Sequence, residues 1–468
     1  MEFTRKRIVG AALGVALGVG FTLLCPDVGL SEQGVRCLGI LIGAIVWWVA
    51  GVLPEWATGL LMVVLFAVAA GVGVDASLSA FTGSTWWLLV GAFALGAGMK
   101  SSGLMRRMAL AVIRWFPRSF AAQSAGLMAA GTVLGPLIPS LAAKVSILEP
   151  IALSIGESMG YEQGGKQMQG LFMATLSGVR TIGPAAVTAS IDGYALLAVL
   201  PAATQERFDL LSWFLAALPW LVAATVLSYL CIQVMYRPRG DAGVAGAGRA
   251  VPTTIERPGT MSRNEKLMLA IIVAAIALWI AEPLHHVASH VVALGALVAM
   301  VAAGILDTKS MRTEVNWPSL VFIGTMISMA TVFSATGIQD WIVSIAQPVF
   351  AELLGNPYLF VLGIGIMTIV LRFLIVSEVA YINIMMALLV PLALGAGVEP
   401  WVVGIAIYAT VNPWFVPYQN PIYLAAYYAV DGKMTSHAAA ARYCAVYLAC
   451  CLAALAISVP YWQWMGLL

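Results

Sequence analysis

Charge is scarce in this chain. Lys, Arg, Asp and Glu make up 10% of 468 residues and sum to a formal net charge of +2 at pH 7, where soluble domains carry roughly a quarter charged residues. So little polar surface cannot clothe a water-facing shell of this size. The basic residues are spread out, with no stripe interleaved with aromatics, so no nucleic acid partner is expected. Cysteines are few as well: Cys25, Cys37, Cys231, Cys444, Cys450 and Cys451 show no CxxC or zinc spacing and read as small buried residues. Of the four histidines, His285, His286 and His290 share a loop without cysteine partners, so no metal site is expected. No HExxH and no nucleophile–histidine arrangement at membrane depth points to catalysis, and the chain does not read as an enzyme.

Apolar residues, by contrast, make up 61% of the chain. At about 20 residues per crossing, the sequence predicts an all-α polytopic membrane protein with about eleven transmembrane helices. Thr4-Arg5-Lys6-Arg7 precedes an apolar run from Ile8 to Leu24. Leu23-Leu24-Cys25-Pro26 offers no small-residue cleavage site, and Gly10, Gly14 and Gly18 space a helix-packing face, so this run reads as a retained helix and not a signal peptide. Further runs follow to residue 236. Pro136 and Pro139 interrupt 119–160, and Gly178, Gly183 and Pro184 interrupt 168–203. A stretch rich in Gly, Ala, Pro and Arg, 237–264, is the one linker. In the second half, 357–397 is interrupted near Ser377-Glu378, and 401–430 by Asn412-Pro413, Pro417 and Pro421.

With the N-terminus inside, the cations sort cleanly. The inside collects Arg5 to Arg7, the group from Lys100 to Arg118, Lys166, the linker arginines, Lys309, Arg312, Lys433 and Arg442, whereas the outside receives only Arg36 and Arg207. Lys144, Arg180 and Arg372 remain at membrane depth.

The two halves echo each other. Ser101-Ser102-Gly103-Leu104 corresponds to Ala335-Thr336-Gly337-Ile338, and each precedes an amphipathic stretch, an interrupted apolar stretch ending in a Pro-containing arm (Pro150, Pro391) and a long broken helix. The first interrupted segment is flanked by Arg118 and Lys166, the second by Asp340, Glu352 and Glu399, which gives the copies opposite orientation. Non-helical backbone survives at membrane depth only where it lines an enclosed cavity, and inverted repeats with interrupted helices mark secondary transporters. The expected architecture adds two re-entrant hairpins in inverted repeats. Its parts are 1–118 (scaffold), 119–236 (transport unit), 237–264 (cytoplasmic linker), 265–356 (scaffold) and 357–468 (transport unit).

Trp87-Leu88-Leu89-Val90-Gly91-Ala92-Phe93 and Lys100-Ser101-Ser102-Gly103-Leu104-Met105-Arg106-Arg107, with the paired Pro-bearing hairpins, resemble the divalent anion:sodium symporter family of di- and tricarboxylate carriers over nearly the whole chain. The resemblance implies an elevator-type homodimer in the inner membrane, carrying a small anionic substrate through the lipid bilayer, with Na+ as coupling ion and no other cofactor. The family's hairpin tips carry Ser-Asn-Thr ten residues before a Pro; here those positions hold Ser140-Leu141-Ala142 and Tyr381-Ile382-Asn383. The family's helix breaks match Thr181-Ile182-Gly183-Pro184 and the stretch through Gln419-Asn420-Pro421. The resemblance therefore implies substrate contacts at Ser140, Ala142, Thr181, Gly183, Tyr381, Asn383, Gln419 and Asn420.

The buried charges extend this set. Each costs about 2.5–3.5 kcal/mol at the centre of a membrane helix on insertion scales, so each needs a partner or a role. Internal pairs Lys144–Glu149 and Arg372–Glu378 are one reading; Arg180 has no acid nearby in sequence, and its guanidinium suits a bound carboxylate or sulfonate. The sequence predicts a secondary transporter of dicarboxylate-like anions. In it Lys144 and Arg180 replace sodium, exchange is sodium-independent, and Glu149, Glu378 and Arg372 are coupling candidates. The alternative is an anion channel, or a sodium- or proton-coupled symporter of sulfonates, monocarboxylates or oxyanions, on the same scaffold.

Overall fold

The computed structural model describes residues 5–24, 29–238, 259–342, 344, 355–373, 375, 377–416 and 419–468. Cys25, linker residues 239–258, Glu352, Pro417 and Tyr418 lie outside the described residues.

All regular elements among the described residues are helices. The first half runs α1 (Arg5–Leu24), α2 (Glu32–Ala50), α3 (Glu55–Val68), α4 (Ser84–Ser102), α5 (Leu104–Ile113), α6 (Phe120–Leu134), α7 (Leu141–Ser158), α8 (Lys166–Ala185), α9 (Ile191–Val199) and α10 (Leu210–Tyr236). The second runs α11 (Arg263–Ile280), α12 (Ser289–Ala302), α13 (Trp317–Ala335), α14 (Pro357–Leu371), α15 (Glu378–Gly395), α16 (Pro400–Val411), α17 (Pro421–Ala429) and α18 (His437–Trp464). Six of these are long and apolar enough to cross a membrane, or seven if the bent α4–α5 pair is one span; five more apolar helices are shorter, at 10–17 residues. The expected figure of about eleven therefore depends on counting short helices as crossings.

The glycines read as helix-packing positions do that work. A Cβ on Gly14 or Gly18 of α1 would run into Trp47 and the main chain of Gly39 and Gly43 on α2, so close approach of these helices requires glycine. The other face of α1 keeps Ile8, Leu13, Leu17 and Leu24 exposed, as α10 does with Leu211, Val222 and Val234. Such apolar stripes suit lipid.

At the repeat punctuation, Gly103 (φ 79°) and Gly337 (φ 75°) both take the left-handed conformation that ends a helix. The chain bends 75° there between α4 and α5. The buried positions of α5, from Leu104 to Ile113, lie on one face, as expected of an amphipathic stretch.

Each interrupted apolar stretch folds as two helices joined by a short tip: α6 and α7 around 135–140, and α14 and α15 around 372–377. Each long run after them is broken: α8 and α9 are separated by an irregular stretch holding one 3-10 turn (Val187–Ala189), and α16 and α17 by 412–420. The packing repeats across the halves. Helix α8 lies against both α6 and α7, and α16 against both α14 and α15. The outer piece of each break crosses over, α17 packing on α7 and α9 on α15. Likewise α3 packs on α13 and α12 on α4.

Candidate functional site

Both connections, α6 to α7 and α14 to α15, end in a serine that starts the next helix. Ser140 accepts a hydrogen bond from Ala143 N at 3.2 Å and Ser377 accepts one from Ala380 N at 3.2 Å, each N-capping the second arm. Glu378 is therefore the first residue after the second tip, while Tyr381 and Asn383 lie inside α15, buried, with Asn383 Nδ2 donating to Val379 O at 2.9 Å. Counting back from the proline places Tyr381 and Asn383 at the tip, whereas the helix starts earlier, at Glu378.

Lys144 stands one turn into α7 and is fully buried. Its ammonium donates to Ala189 O, in the first break, at 2.7 Å. The expected partner Glu149 does not receive it: both Glu149 carboxyl oxygens are buried without a hydrogen-bond partner. Ala142 is half-buried beside the tip.

Arg180, near the end of α8, does have an acid, supplied by the other half of the chain. Arg180 Nη2 lies 2.9 Å from Glu378 Oε1 and Nη1 lies 3.5 Å from Oε2, a forked arrangement. Nη1 also donates to Asn412 Oδ1 at 2.5 Å, and the guanidinium carbon lies 6.0 Å from the centre of the Trp414 ring. Of the three Arg180 side-chain nitrogens, Nε alone has no hydrogen-bond partner among the described residues. The pair is almost completely buried, the side chains 1% and 7% exposed.

Arg372 brings a second guanidinium to the same carboxylate, Nη2 lying 3.6 Å from Glu378 Oε1, so the expected Arg372–Glu378 pair forms. Arg372 also donates to Ile375 O at 2.8 Å in its own tip and to Gln419 O at 2.5 Å in the second break. Gln419 in turn accepts from Phe415 N at 2.7 Å and Val416 N at 3.2 Å, holding the break's main chain in shape. Asn420 caps α17 through Tyr423 N at 2.8 Å and donates to Asn412 O at 3.1 Å.

The first break is ordered by its own polar set. Thr181 donates to Ser177 O at 2.7 Å, and Tyr408 reaches across from α16 to hydrogen-bond Ser190, the cap of α9. Gly183 leaves the room: a Cβ there would fall 2.6 Å from the Tyr408 hydroxyl. Asp192, buried two residues after the Ser190 cap, lies within the electrostatic reach of Arg180, Arg372 and Glu378.

Site residues from both halves thus meet: Arg180, Glu378, Arg372, Asn412, Gln419 and Asn420 form one connected polar cluster, and Lys144 joins the first tip to the first break. Sequence reading missed Asn412, Tyr408 and the Ala189 carbonyl as partners; Asn412 stood out only as a helix breaker. Gly156-Glu157-Ser158-Met159-Gly160 spells a nucleophile-elbow motif that sequence reading also passed over. Ser158 ends a helix and donates to Ile155 O at 2.8 Å, without the strand-to-helix context a nucleophile needs.

Interrupted helices that hold buried cations, in a chain whose described regular elements are all helical and largely apolar, are the build of a multi-pass membrane protein. The chain belongs to the family described as the sodium:sulfate symporter transmembrane region, which it matches over residues 5–468. Among its relatives, the chloroplastic dicarboxylate transporter 2 of Spinacia oleracea is 25% identical over 72% of this chain and 61% of that protein. The L-tartrate/succinate antiporter of Shigella sonnei is 24% identical over 68% of this chain and 66% of that protein. The matches to the first relatives span 61% to 64% of those proteins' lengths. In fold the chain is similar to the Alcanivorax borkumensis YdaH transporter, with a TM-score of 0.59 over 83% of this chain and 87% of that one at 17% identity.

Proposed function

We propose that this protein is a secondary active transporter that exchanges small di- or tricarboxylate-like anions across the cytoplasmic membrane without sodium. The observation that carries the reading is a matched pair of tethers. Lys144 runs from the first tip region to a carbonyl of the first break, and Arg372 from the second tip to a carbonyl of the second break. Main-chain carbonyls at a helix break are what a small cation would use; here stationary side-chain cations already occupy Ala189 O and Gln419 O. Arg372 takes the second of these roles, and Arg180 is left as the group for the solute.

The dicarboxylate class follows the relatives named above. In this reading α6 to α10 and α14 to α18 form the moving unit of an elevator, the two halves are inverted repeats with an inside N-terminus, and the protein is a homodimer.

The test is counterflow of labelled succinate in proteoliposomes preloaded with succinate, with sodium replaced by choline. Exchange of equal rate in both media is expected. A strict sodium requirement rejects the exchange mode, and a conductance without saturable counterflow rejects a carrier in favour of a channel.

A further inference from the structure

We infer that Glu378 is a built-in stand-in for the substrate's carboxylate, holding Arg180 closed until a solute anion displaces it. The inference rests on the reading above that Arg180 serves the solute, and adds how that group is gated.

The geometry leaves little alternative use for Arg180 as it stands. Both of its terminal nitrogens are engaged, Nη2 with Glu378 at 2.9 Å and Nη1 with Glu378 at 3.5 Å and Asn412 at 2.5 Å. A solute carboxylate that takes the end-on fork needs the same two parallel N–H donors, so it binds there only after Glu378 leaves. Glu378 is placed to leave. It is the first residue of α15, directly after the Ser377 cap, at the tip of a hairpin and not in the middle of a packed helix. It also has somewhere to go: Arg372 Nη2 is 3.6 Å from its Oε1. A carboxylate stripped of one guanidinium at 7% exposure would otherwise be stranded.

Displacement therefore moves Glu378 from two guanidinia to one and hands Arg180 to the solute, with no net change in the number of buried ion pairs. Substrate arrival is thereby converted into release of the second tip from α8. A carrier built this way keeps its central cation neutralised in the empty state, and the tip responds only to anions able to outcompete a tethered carboxylate.

The experiment follows the melting temperature of purified full-length wild type, Glu378→Ala and Glu378→Gln, with sodium acetate, sodium succinate and sodium chloride at matched ionic strength. Glu378→Ala is expected to melt below wild type and to be restored by acetate but not by chloride, because acetate fills the vacated place on Arg180; wild type is expected to ignore acetate. Glu378→Gln is expected to bind succinate at least tenfold more tightly than wild type. Arg372→Gln is expected to weaken succinate at least fivefold, and that loss should vanish in the Arg372→Gln/Glu378→Gln double variant, which a merely structural role for Arg372 would not produce. A folded Glu378→Ala that no carboxylate stabilises, or a folded Glu378→Gln that binds succinate no better than wild type, overturns the inference. Acetate rescue without any dicarboxylate exchange upholds the stand-in while overturning the proposed transport.

Discussion

The Lys144 ammonium lies 2.7 Å from the carbonyl oxygen of Ala189, so one hydrogen bond ties the first hairpin to the first helix break across 45 residues of chain. Among the described residues no carboxylate forms an ion pair with this ammonium; its hydrogen-bond partner is a main-chain carbonyl in the 3-10 turn between α8 and α9. A fully buried ammonium is expensive, and in the transport reading proposed above Lys144 serves as the resident cation and not as half of a salt bridge.

Removing that ammonium should therefore expose a cation site. In Lys144→Ala, exchange in sodium-free medium should fall at least tenfold, and sodium should restore part of it by reaching the freed Ala189 carbonyl. Counterflow in choline and in sodium measures both. A folded Lys144→Ala without sodium stimulation would remove Lys144 from the role of resident cation.

The crossing of α6 over α8 is set by glycine on glycine. A Cβ on Gly178 would fall 2.5 Å from Met128 Cα and O, and one on Gly131 would fall 2.6 Å from Val179 N. These neighbours are main chain and cannot turn aside. Gly178→Ala should cost about 1–3 kcal/mol from overpacking, seen as a lower melting temperature. Gly295→Ala, where nothing lies within 4 Å, should be neutral or gain up to about 1 kcal/mol of helix propensity. Equal melting temperatures for the two variants would mean that the crossing is looser than described.

Ser140 has two assignments that substitution separates: it caps α7, and the resemblance makes it a substrate contact. Alanine removes both, costing about 1 kcal/mol for the cap. Aspartate caps as well as serine but brings a negative charge to an anion site. Ser140→Asp should thus keep the wild-type melting temperature while losing exchange. Retained exchange in Ser140→Asp would leave Ser140 as a cap alone.

Much of this was legible in the sequence because it is punctuation. Gly103 and Gly337 end helices in the left-handed conformation, and Gly183-Pro184 and Asn412-Pro413 stand at the two breaks, because local backbone chemistry decides all four. What stayed hidden was pairing at a distance. Arg180 meets Glu378 198 residues away, and no local pattern selects that acid over Asp192. The register of the second tip was hidden for a different reason. Pro150 follows its cap Ser140 by ten residues, whereas Pro391 follows Ser377 by fourteen, about one helical turn more. Counting back from proline therefore lands inside α15, on Tyr381 and Asn383, and misses the capping serine.

The two halves are also joined at the foot of α5, where one carboxylate does two jobs. Glu265 receives Arg107 Nε at 2.8 Å and Nη2 at 3.1 Å, and its Oε2 also accepts from Ser262 N at 2.7 Å, completing a capping box with Ser262 on α11. Arg107 also donates from Nη1 to Gly259 O at 2.7 Å and from Nη2 to Thr260 O at 3.3 Å, so the chain that leads into α11 is held down as well. Glu265→Gln keeps an acceptor for the box and weakens only the ion pair, and should cost about 1 kcal/mol for this partly exposed pair. Glu265→Ala loses the ion pair and the cap together and should cost about 2–3 kcal/mol. The charge-swapped pair Arg107→Glu/Glu265→Arg should fail to recover stability, although the two charges are again opposite, because arginine at position 265 has no acceptor for Ser262 N. Full recovery in the swapped variant, read as melting temperature in one detergent, would reduce the contact to simple charge attraction and take the capping box out of the account.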